Sequence, residues 1–441
     1  MIHPVQVVLS SKDGSLLICV LRNMIHVYKF SVEGHNYQLI GEWVDDFDST
    51  TLIKEKVIKE HQRQLAKKSD KKLKSNDGSA IEQSCKKPSV PVPGEGAPPV
   101  YQYIKCLALS QDESILVACT NSDKAVVILR IELEKSNCLS LLKRQPLAKR
   151  PNAVAFTNDD ETLVIADKFG DVYAIPVLSE KVINSPEPIL GHVSILTDIA
   201  MVKDKDGKHY ILSADRDEHI KITHYPQSYI VDKWLFGHTQ FVSTLCVPKW
   251  NPEILFSAGG DEVIKAWNWA TGQLLSAFKV TDLMNPYLTD FHFPPKRFLV
   301  GDGSDRREIS IGKVLAFDNI PYLITYAEAT KAIFVLKFDS NTRELSHFKT
   351  LELPSNVVSL TIASNTNQLA VSLDRRGEQG NLIIFYNYVD GKFNEDNNKV
   401  YAIDEALQNT LSDNAIAQVD LQDIQPLYPI GQLRKRGEHY S

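Results

Sequence analysis

The stretch "FGHTQFVSTLCVPKWNPEILFSAGGDEVIKAWNWATGQLLSAFK", residues 236–279, decides the fold. It contains four short runs rich in β-branched and aromatic residues, and Gly, Asp, Asn and Pro lie between them. Such runs predict β-strands joined by tight turns. The four runs cover residues 243–247, 253–259, 263–269 and 273–279. A lone sheet of four strands would expose both of its edges, so this unit requires neighbours.

The same pattern of strand, turn and strand recurs along the chain. The turn after the first strand of each unit is marked by Asp13, Asp112, Asp159, Asp206, Pro252, Asn319 and Asn365. From Asp112 onward these landmarks are 47, 47, 46, 67 and 46 residues apart, and the first gap is 99. A period near 46 with two insertions therefore gives seven units of four strands. We predict an all-β, seven-bladed β-propeller over residues 1–441, in which ring closure protects the sheet edges.

The unit at 236–279 resembles a WD repeat, with Gly-His near its start and Trp-Asn where Trp-Asp usually stands. The preceding unit has Gly191-His192 but Thr223 in place of the Trp. In the WD family these positions form a buried hydrogen-bond chain, which here would contain His192 and Asp217, and then His238, Ser257, Asp261 and Trp267. A buried imidazole needs hydrogen-bond partners, and a turn aspartate can accept its N–H. We therefore predict that His192 and His238 are structural and are neither metal ligands nor catalytic bases.

Two insertions and a tail interrupt the repeat. Residues 45–100 carry nine Lys/Arg against three Asp/Glu between Lys54 and Lys74 and then become rich in Pro and Gly, which predicts a disordered basic loop after blade one. Its core "KKSDKKLK" is either a nuclear-localisation signal or a solvated linker. Residues 279–311 form an inter-blade insertion. The tail, 395–441, is first acidic, over residues 395–423 that we expect to be flexible or amphipathic, and then basic at Arg434, Lys435 and Arg436.

Composition excludes several classes of protein. The net charge is −6, so the chain as a whole does not attract nucleic acid, and no apolar run is long enough for a membrane helix. The amino terminus lacks the features of a secretory signal, and the six scattered cysteines suit reduced thiols in the cytosol or nucleus. We find no zinc, phosphate-loop, dinucleotide or nucleophile-elbow motif, so we expect no metal, no cofactor and no catalytic residue.

One short stretch, "SADRDEHIKITHYP" at residues 213–226, is unusually charged, with five formal charges and one histidine between Asp215 and Lys221. Alternation along a strand predicts that Ile220 faces the core, while Lys221 lies between the inward Ile220 and Ile222 and reaches solvent. The stretch is either a solvated hairpin or a docking surface. Charges of both signs suit an interface, because they fix register and reject wrong partners.

Beyond the generic repeat, "SADRDEHIKITHYPQSYIVDKWLFGHTQFVS", "SAGGDEVIKAWNW" and "LRKRGEHYS" resemble the fungal form of the non-catalytic WD-repeat subunit of eukaryotic tRNA (guanine-N(7)-)-methyltransferase. The resemblance implies a heterodimer with a Rossmann-like catalytic subunit that holds S-adenosylmethionine and methylates a guanine in the tRNA variable loop. The propeller would stabilise that subunit and help to place the tRNA, mainly in the nucleus.

From this resemblance we expect partner contacts on the charged stretch and on the equivalent turn of the preceding blade, at Arg216, Asp217, Glu218, His219, Lys221, Lys168 and Phe169. Candidates for tRNA contact are Lys168, Arg216, Arg434, Lys435 and Arg436. Two alternatives stay open on sequence alone. One is a generic WD-repeat scaffold, such as a ubiquitin-ligase substrate receptor or a chromatin adaptor, and the other is a propeller enzyme with acids or histidines at its central channel.

Overall fold

The computed structural model describes residues 1–47, 57–63, 102–299, 301, 303, 305–376 and 380–436. Within them, 28 strands form seven four-stranded antiparallel sheets. In each sheet the strands follow in chain order, and the first strands contact one another around the centre in six of the seven neighbouring pairs of sheets. The predicted seven-bladed propeller is therefore confirmed. Most of the predicted disordered insertion, 48–56 and 64–101, lies outside the described residues.

The strands are short, and consecutive groups of four make blades one to seven. Blades one to three contain β1 (Val7–Ser10), β2 (Leu16–Leu21), β3 (Met24–Ser31), β4 (Asn36–Val44), β5 (Ile104–Leu109), β6 (Ile115–Thr120), β7 (Ala125–Ile131), β8 (Leu139–Pro146), β9 (Pro151–Phe156), β10 (Thr162–Asp167), β11 (Asp171–Pro176) and β12 (Leu190–Gly191). Blades four and five contain β13 (Leu196–Lys203), β14 (His209–Asp215), β15 (Ile220–Tyr225), β16 (Val231–Leu235), β17 (Val242–Cys246), β18 (Ile254–Gly259), β19 (Val263–Asn268) and β20 (Gln273–Lys279). Blades six and seven contain β21 (Ile311–Ala316), β22 (Tyr322–Ala327), β23 (Ala332–Asp339), β24 (Glu344–Glu352), β25 (Asn356–Ala363), β26 (Gln368–Asp374), β27 (Ile383–Val389) and β28 (Lys392–Glu395).

The landmark aspartates fold their turns by local hydrogen bonds. A hydroxyl two residues earlier donates to the carboxylate at 2.5–2.6 Å in three blades, from Ser11 to Asp13, from Ser110 to Asp112 and from Thr157 to Asp159. The same carboxylates accept a backbone N–H two residues later. Each such turn is therefore specified by its own sequence, which is why the period can be read without the structure.

The hydrophobic core lies between the blades. One cluster joins blades four and five through Leu212, Ile220, Leu255 and Trp267, and other clusters join other neighbouring pairs. The middle strands are consequently buried on both faces: β14 is buried at six of its seven residues, and β15 is buried from its first residue to its fourth. Alternation along such a strand does not lead to solvent.

The ring closes between blades seven and one. The backbone N–H groups of Val8 and Ser10 in β1 donate to the hydroxyls of Ser359 and Thr361 in β25, each at 3.2 Å. The amino terminus also pairs with the tail, since the N–H of His3 donates to the Ala417 carbonyl at 2.8 Å. Both ends of the chain therefore help to hold the ring shut.

The described helices are few. Residues 57–63 form α1, and α2 (Thr281–Met284) and α3 (Asn397–Leu411) follow. Single 3₁₀ turns occur at Asn285–Tyr287, Asp290–His292, Lys296–Phe298, Leu421–Asp423 and Ile430–Leu433. No helix in the described ranges is long and apolar enough to cross a membrane.

The tail packs onto the propeller. The Asp396 side chain caps α3 by accepting the N–H of Lys399, and the buried face of the helix, with Val400, Ile403 and Leu407, joins the core of blades six, seven and one. We call residues 424–436 the carboxyl-terminal strap. The strap contacts four blades in succession, each time at the end of the second strand or in the turn that follows it. From blade seven to blade four, these contacts are Tyr428–Asp374 (2.8 Å), Gly431–Glu328 (2.7 Å), Arg434–Gly260 (2.7 Å) and Lys435–Asp217 (2.8 Å).

Candidate protein-interaction surface on blades three and four

Blade five contains the hydrogen-bond chain of a WD repeat. Nδ1 of His238 lies 2.8 Å from a carboxylate oxygen of Asp261, and Nε2 lies 2.7 Å from the Ser257 hydroxyl. Nε1 of Trp267 donates to that same hydroxyl oxygen at 2.8 Å. Because both imidazole nitrogens of the buried ring have partners, His238 joins the segment before the first strand of the blade to the second strand and its following turn, and has no nitrogen left for a metal or a substrate.

Blade four forms the corresponding chain with a different aspartate. Nδ1 of His192 lies 2.9 Å from Asp215, and Nε2 lies 2.8 Å from Ser213. The assignment of Asp217 to this chain is therefore wrong. The histidine precedes its aspartate by 23 residues in both blades, so the spacing from His192 would have identified Asp215. Burial lowers the pKa of His192, which keeps its ring neutral near pH 7.

Asp215 also organises the turn that follows. Its second carboxylate oxygen accepts the backbone N–H of Asp217 at 2.8 Å and that of His219 at 3.0 Å. The Asp215 side chain is itself buried, although it belongs to the charged stretch. Glu218, between these two donors, adopts a left-handed backbone with φ of 76°. The conformation of the turn therefore depends on one buried carboxylate.

Lys221 does not reach solvent as the strand alternation predicted. It is only 6% exposed, its ammonium donates to the Gly191 carbonyl at 2.5 Å, and it lies 4.8 Å from the centre of the Trp234 ring. Lys265 repeats this arrangement in blade five, where it is 9% exposed and donates to the Gly237 carbonyl at 2.8 Å. Burial lowers the pKa of Lys221. Lys221 is therefore packed within the blade, and the prediction that its ammonium reaches solvent is wrong, whereas its contact with a partner stays a prediction.

Asp217 binds the strap. Its carboxylate lies 2.8 Å from the ammonium of Lys435 and accepts the Ser194 hydroxyl at 2.6 Å. Burial alone would raise the pKa of Asp217, but the hydrogen bonds from Lys435 and Ser194 outweigh it and hold that pKa below its ordinary value. Asp217 stays charged, and it joins the carboxyl terminus to the turn of blade four.

An aromatic patch lies beside this turn on the outermost strand of blade four. Phe236 is 65% exposed, and Trp234 is also exposed. Their rings stack with centres 6.2 Å apart, and the His219 ring meets them edge-on at 5.7 and 5.6 Å. Sequence reasoning missed both residues, although "WLFGH" places two aromatic side chains just before the Gly-His pair. Exposed aromatic side chains in contact with one another are typical of protein interfaces.

The turn of blade three continues the patch. Phe169 is 62% exposed, and the ammonium of Lys149 lies 4.0 Å from its ring centre. The backbone N–H of His192 donates to the Gly170 carbonyl at 2.8 Å, which joins this turn to the segment that carries the exposed Val193.

We call this set of neighbouring residues the blade three–four surface: Lys168, Phe169, Val193, Arg216, Glu218, His219, Trp234 and Phe236.

The basic end of the tail is bonded within the molecule. Arg434 donates to the carbonyls of Gly260 and Ile309 at 2.7 and 3.0 Å, and Arg436 donates to both oxygens of Glu308 at 2.9 and 2.5 Å. Burial lowers the pKa of Arg434. Arg434 and Arg436, two of the candidates for tRNA contact, therefore use their guanidinium groups for bonds within the molecule. Among the described residues, no group of three or more His, Cys, Asp or Glu side chains could hold a metal ion.

Comparison with known proteins gives consistent results. A family model described as the tRNA methyltransferase TRM82 WD40 domain matches residues 17–188 and 182–384. Proteins named tRNA (guanine-N(7)-)-methyltransferase non-catalytic subunit TRM82 are 54% identical in Eremothecium gossypii and 51% in Kluyveromyces lactis, over 100% of both chains in each case. The Saccharomyces cerevisiae protein of that name is 42% identical over 100% of this chain and 99% of its own.

Solved structures agree on the fold alone. The RRP9 WD40 repeats superpose with a TM-score of 0.55 at 15% identity and cover 86% of this chain and 89% of theirs. The U3-55K structure gives a TM-score of 0.55 at 14% identity and covers 89% of this chain and 94% of its own. At this identity the likeness extends to the WD40 architecture and not to any activity.

Proposed function

The chain belongs to the family of the tRNA (guanine-N(7)-)-methyltransferase non-catalytic subunit, and from this premise we propose that its blade three–four surface binds the catalytic subunit of that enzyme. A non-catalytic subunit acts by contact, so the surface that makes the contact is the functional site. The observation that carries the proposal is the exposed aromatic patch of Trp234 and Phe236 beside a turn of mixed charge.

The composition of the surface suits a specific interface. Phe169, Val193 and Phe236 supply apolar area that is unfavourable in water, and its burial would contribute the main part of the affinity. Glu218 and His219 border that area on a turn whose shape is fixed by Asp215. A rigid turn loses little conformational entropy on binding, so its charges can fix the orientation of the partner at low cost.

The role that follows is that of a support. By binding, the propeller would stabilise the active conformation of the catalytic subunit, which would hold S-adenosylmethionine and methylate a guanine in the tRNA variable loop. The propeller would also help to position the tRNA. Lys168 and Arg216 are the cations of the surface that we propose for phosphate contact, because they border the site where the catalytic subunit would sit.

The experiment that tests partner binding compares two exposed aromatic residues on the same blade. Phe236→Asp places a charge in the proposed interface. Tyr229→Asp makes the same kind of change at a residue that is 82% exposed and lies in the turn between β15 and β16. We expect Phe236→Asp to weaken binding of the purified catalytic subunit by about 100-fold, in line with loss of an aromatic hot spot. Tyr229→Asp should bind as the wild type does. Equal affinities of all three proteins would refute the assignment of the surface.

We also propose that the chain works in the nucleus, through the basic stretch "KKSDKKLK" at residues 67–74, which lies outside the described residues. Replacement of its five lysines by serine should abolish nuclear accumulation of a fluorescent fusion and leave binding of the catalytic subunit unchanged. Nuclear accumulation of the substituted fusion would contradict this proposal.

A further inference from the structure

A cavity of about 480 Å³ lies between the carboxyl-terminal strap and the insertion between blades five and six. The strap supplies one wall with Gly431, Arg434 and Arg436, and the insertion supplies the other with Phe291 and Phe298. We call it the strap pocket. Its volume falls within the range of about 300–1,000 Å³ that is usual for ligand pockets, so it can hold a few side chains of a partner.

The pocket has an excess of positive charge. Among the described residues, two carboxylates line it, Glu308 and Glu328, against five cations, of which Lys435 is paired with Asp217 and Arg216 also has a partner. The cations are Arg216, Arg297, Arg434, Lys435 and Arg436.

Neither carboxylate balances a cation one to one. Glu308 is shared by Arg434 and Arg436, whose nearest contacts are 3.5 and 2.5 Å. Glu328 uses its two oxygens to accept the backbone N–H groups of Ile430 and Gly431, at 2.8 and 2.7 Å. Arg434 and Arg436 share one carboxylate and Arg297 pairs with neither, so these three arginines give the described lining a positive field that favours an anionic ligand.

Aromatic rings stand next to these cations. The ring centre of Phe298 lies 4.7 Å from the guanidinium of Arg297 and 5.6 Å from that of Arg436. Phe291 is exposed and meets the ring of Tyr428 edge-on at 5.5 Å. Rings of this kind hold arginines in place and offer apolar area to the hydrocarbon stem of an acidic side chain.

The pocket is continuous with the blade three–four surface. Lys435 lines the pocket and forms the ion pair with Asp217, and Arg216, the residue before Asp217, lines the pocket as well. A partner seated on the turn of blade four therefore meets the mouth of the pocket.

We propose that the strap pocket receives an acidic segment of the catalytic subunit, so that the carboxyl-terminal strap is a second part of the docking site. This inference rests on the proposed function. A protein segment fits better than RNA, because the pocket is recessed between two walls, whereas the phosphates of a tRNA helix lie on an outer surface and suit an open basic groove. Nucleic acid is therefore an alternative outcome of the test.

The test compares Arg297→Glu with Lys296→Glu. Both residues are exposed and adjacent, and both changes reverse one charge, but Lys296 does not line the pocket. We expect Arg297→Glu to weaken binding of the purified catalytic subunit by at least about tenfold at 0.1 M salt, as for a charge placed against a like charge at an interface. Lys296→Glu should stay within about twofold of the wild type, since its charge lies outside the contact. Melting curves of both variants would establish that they are folded.

Each outcome is informative. Equal affinity of Arg297→Glu and the wild type refutes the inference, and equal weakening by both variants refutes it too, because that reports a diffuse field and not the pocket. Unchanged partner affinity with weaker tRNA binding by the complex would assign the pocket to nucleic acid. Failure of the wild-type propeller to bind the catalytic subunit would instead refute the proposed function, and this inference with it.

Discussion

Lys221→Glu should destabilise the free propeller, in addition to any effect on a partner. The ammonium of Lys221 is buried against the Gly191 carbonyl at 2.5 Å and the Trp234 ring at 4.8 Å. The substitution replaces it with a carboxylate that faces a carbonyl oxygen and the negative face of an aromatic ring, near the buried carboxylate of Asp215. Each of these contacts then changes from attraction to repulsion.

The magnitude follows from the contacts. A hydrogen bond to a charged donor contributes about 1.5–3 kcal/mol, and a partly desolvated cation–π contact about 0.5–2 kcal/mol. A buried carboxylate without a partner brings the expected loss to about 3–5 kcal/mol. With an unfolding entropy of about 2.1 cal/mol/K per residue, that loss lowers the melting temperature of a propeller of this size by about 4–6 °C.

The assay is thermal unfolding of the purified chain, with two controls. Lys221→Met keeps the hydrocarbon stem and removes the charge. It should cost only about 1–2 kcal/mol, because Gly191 is exposed and water can reach its carbonyl. Lys265→Glu makes the same change in blade five, where the lysine bonds to the Gly237 carbonyl at 2.8 Å. Its loss should match that of Lys221→Glu.

An unchanged melting temperature for Lys221→Glu would refute this reasoning and return Lys221 to the exposed surface. A large drop in melting temperature for Lys221→Glu with none for Lys265→Glu would refute the claim that the two lysines have the same structural role. Partner binding by Lys221→Glu is interpretable only below its melting transition, because an unfolded propeller binds nothing.

Three further predictions concern the turn and the strap. Asp215→Ala should lower the free energy of unfolding by about 3 kcal/mol, because it leaves a buried imidazole and two backbone N–H groups without their acceptor. Asp217→Ala should lower it by about 1 kcal/mol or less. Urea titrations of both variants measure these losses, and a larger loss for Asp217→Ala would contradict the prediction. Burial raises the pKa of Glu328 to about 7 from 4.5, so the stability that its protonated form contributes is present below pH 4.5 and is lost as the pH rises through 7. From pH 5 to pH 8 the free energy of unfolding of the wild type should fall by up to about 3 kcal/mol relative to that of Glu328→Gln. If urea titrations gave the same difference between the two proteins at both pH values, the prediction would be wrong. A chain that ends at Leu427 should still form the propeller but melt at a lower temperature, and an unchanged melting temperature would show that the strap contributes nothing to stability.

The repeat could be read from the sequence because its signals are local. Asp112 and Asp159 each accept a hydrogen bond from a hydroxyl two residues earlier, which shapes the turn locally. The spacing of these turns can therefore be recognised even where the rest of the blade sequences differ. The hydrogen-bond chain of blade five was also legible, because His238, Ser257 and Trp267 all retain the residue types of a WD repeat. Local chemistry therefore predicts the fold and the histidine chain.

The environment of Lys221 could not be read in the same way. Alternation predicts solvent only when one face of a strand is wet, and in a propeller both faces of an inner strand pack against neighbouring blades. The sequence did hold one usable signal, since Lys221 and Lys265 stand at the same register opposite Ser213 and Ser257. A charged residue that recurs at one register of the repeat indicates a structural role.

The strap was unpredictable for a different reason. Its contacts join residues that are 54 to 218 positions apart, as Tyr428–Asp374 and Lys435–Asp217 show, and they exist only once the ring has brought the turns of four blades to one face. Composition could show that the tail ends in basic residues but not that Arg436 would find Glu308. Long-range pairs of this kind leave no periodic signal.

The dense charge of residues 215–221 has two separate causes. Asp215 and Lys221 are inner charges, each bonded within the blade, and their removal should change stability. Glu218 and His219 are partly exposed and border the aromatic patch, so substitution of either should change affinity and leave stability nearly intact. Asp217 lies between the two classes, because the WD chain does not use it and the strap does. A charge-reversal series along this turn should therefore separate folding from binding, and a series in which stability and affinity fell together at every position would show that the turn acts as one structural unit.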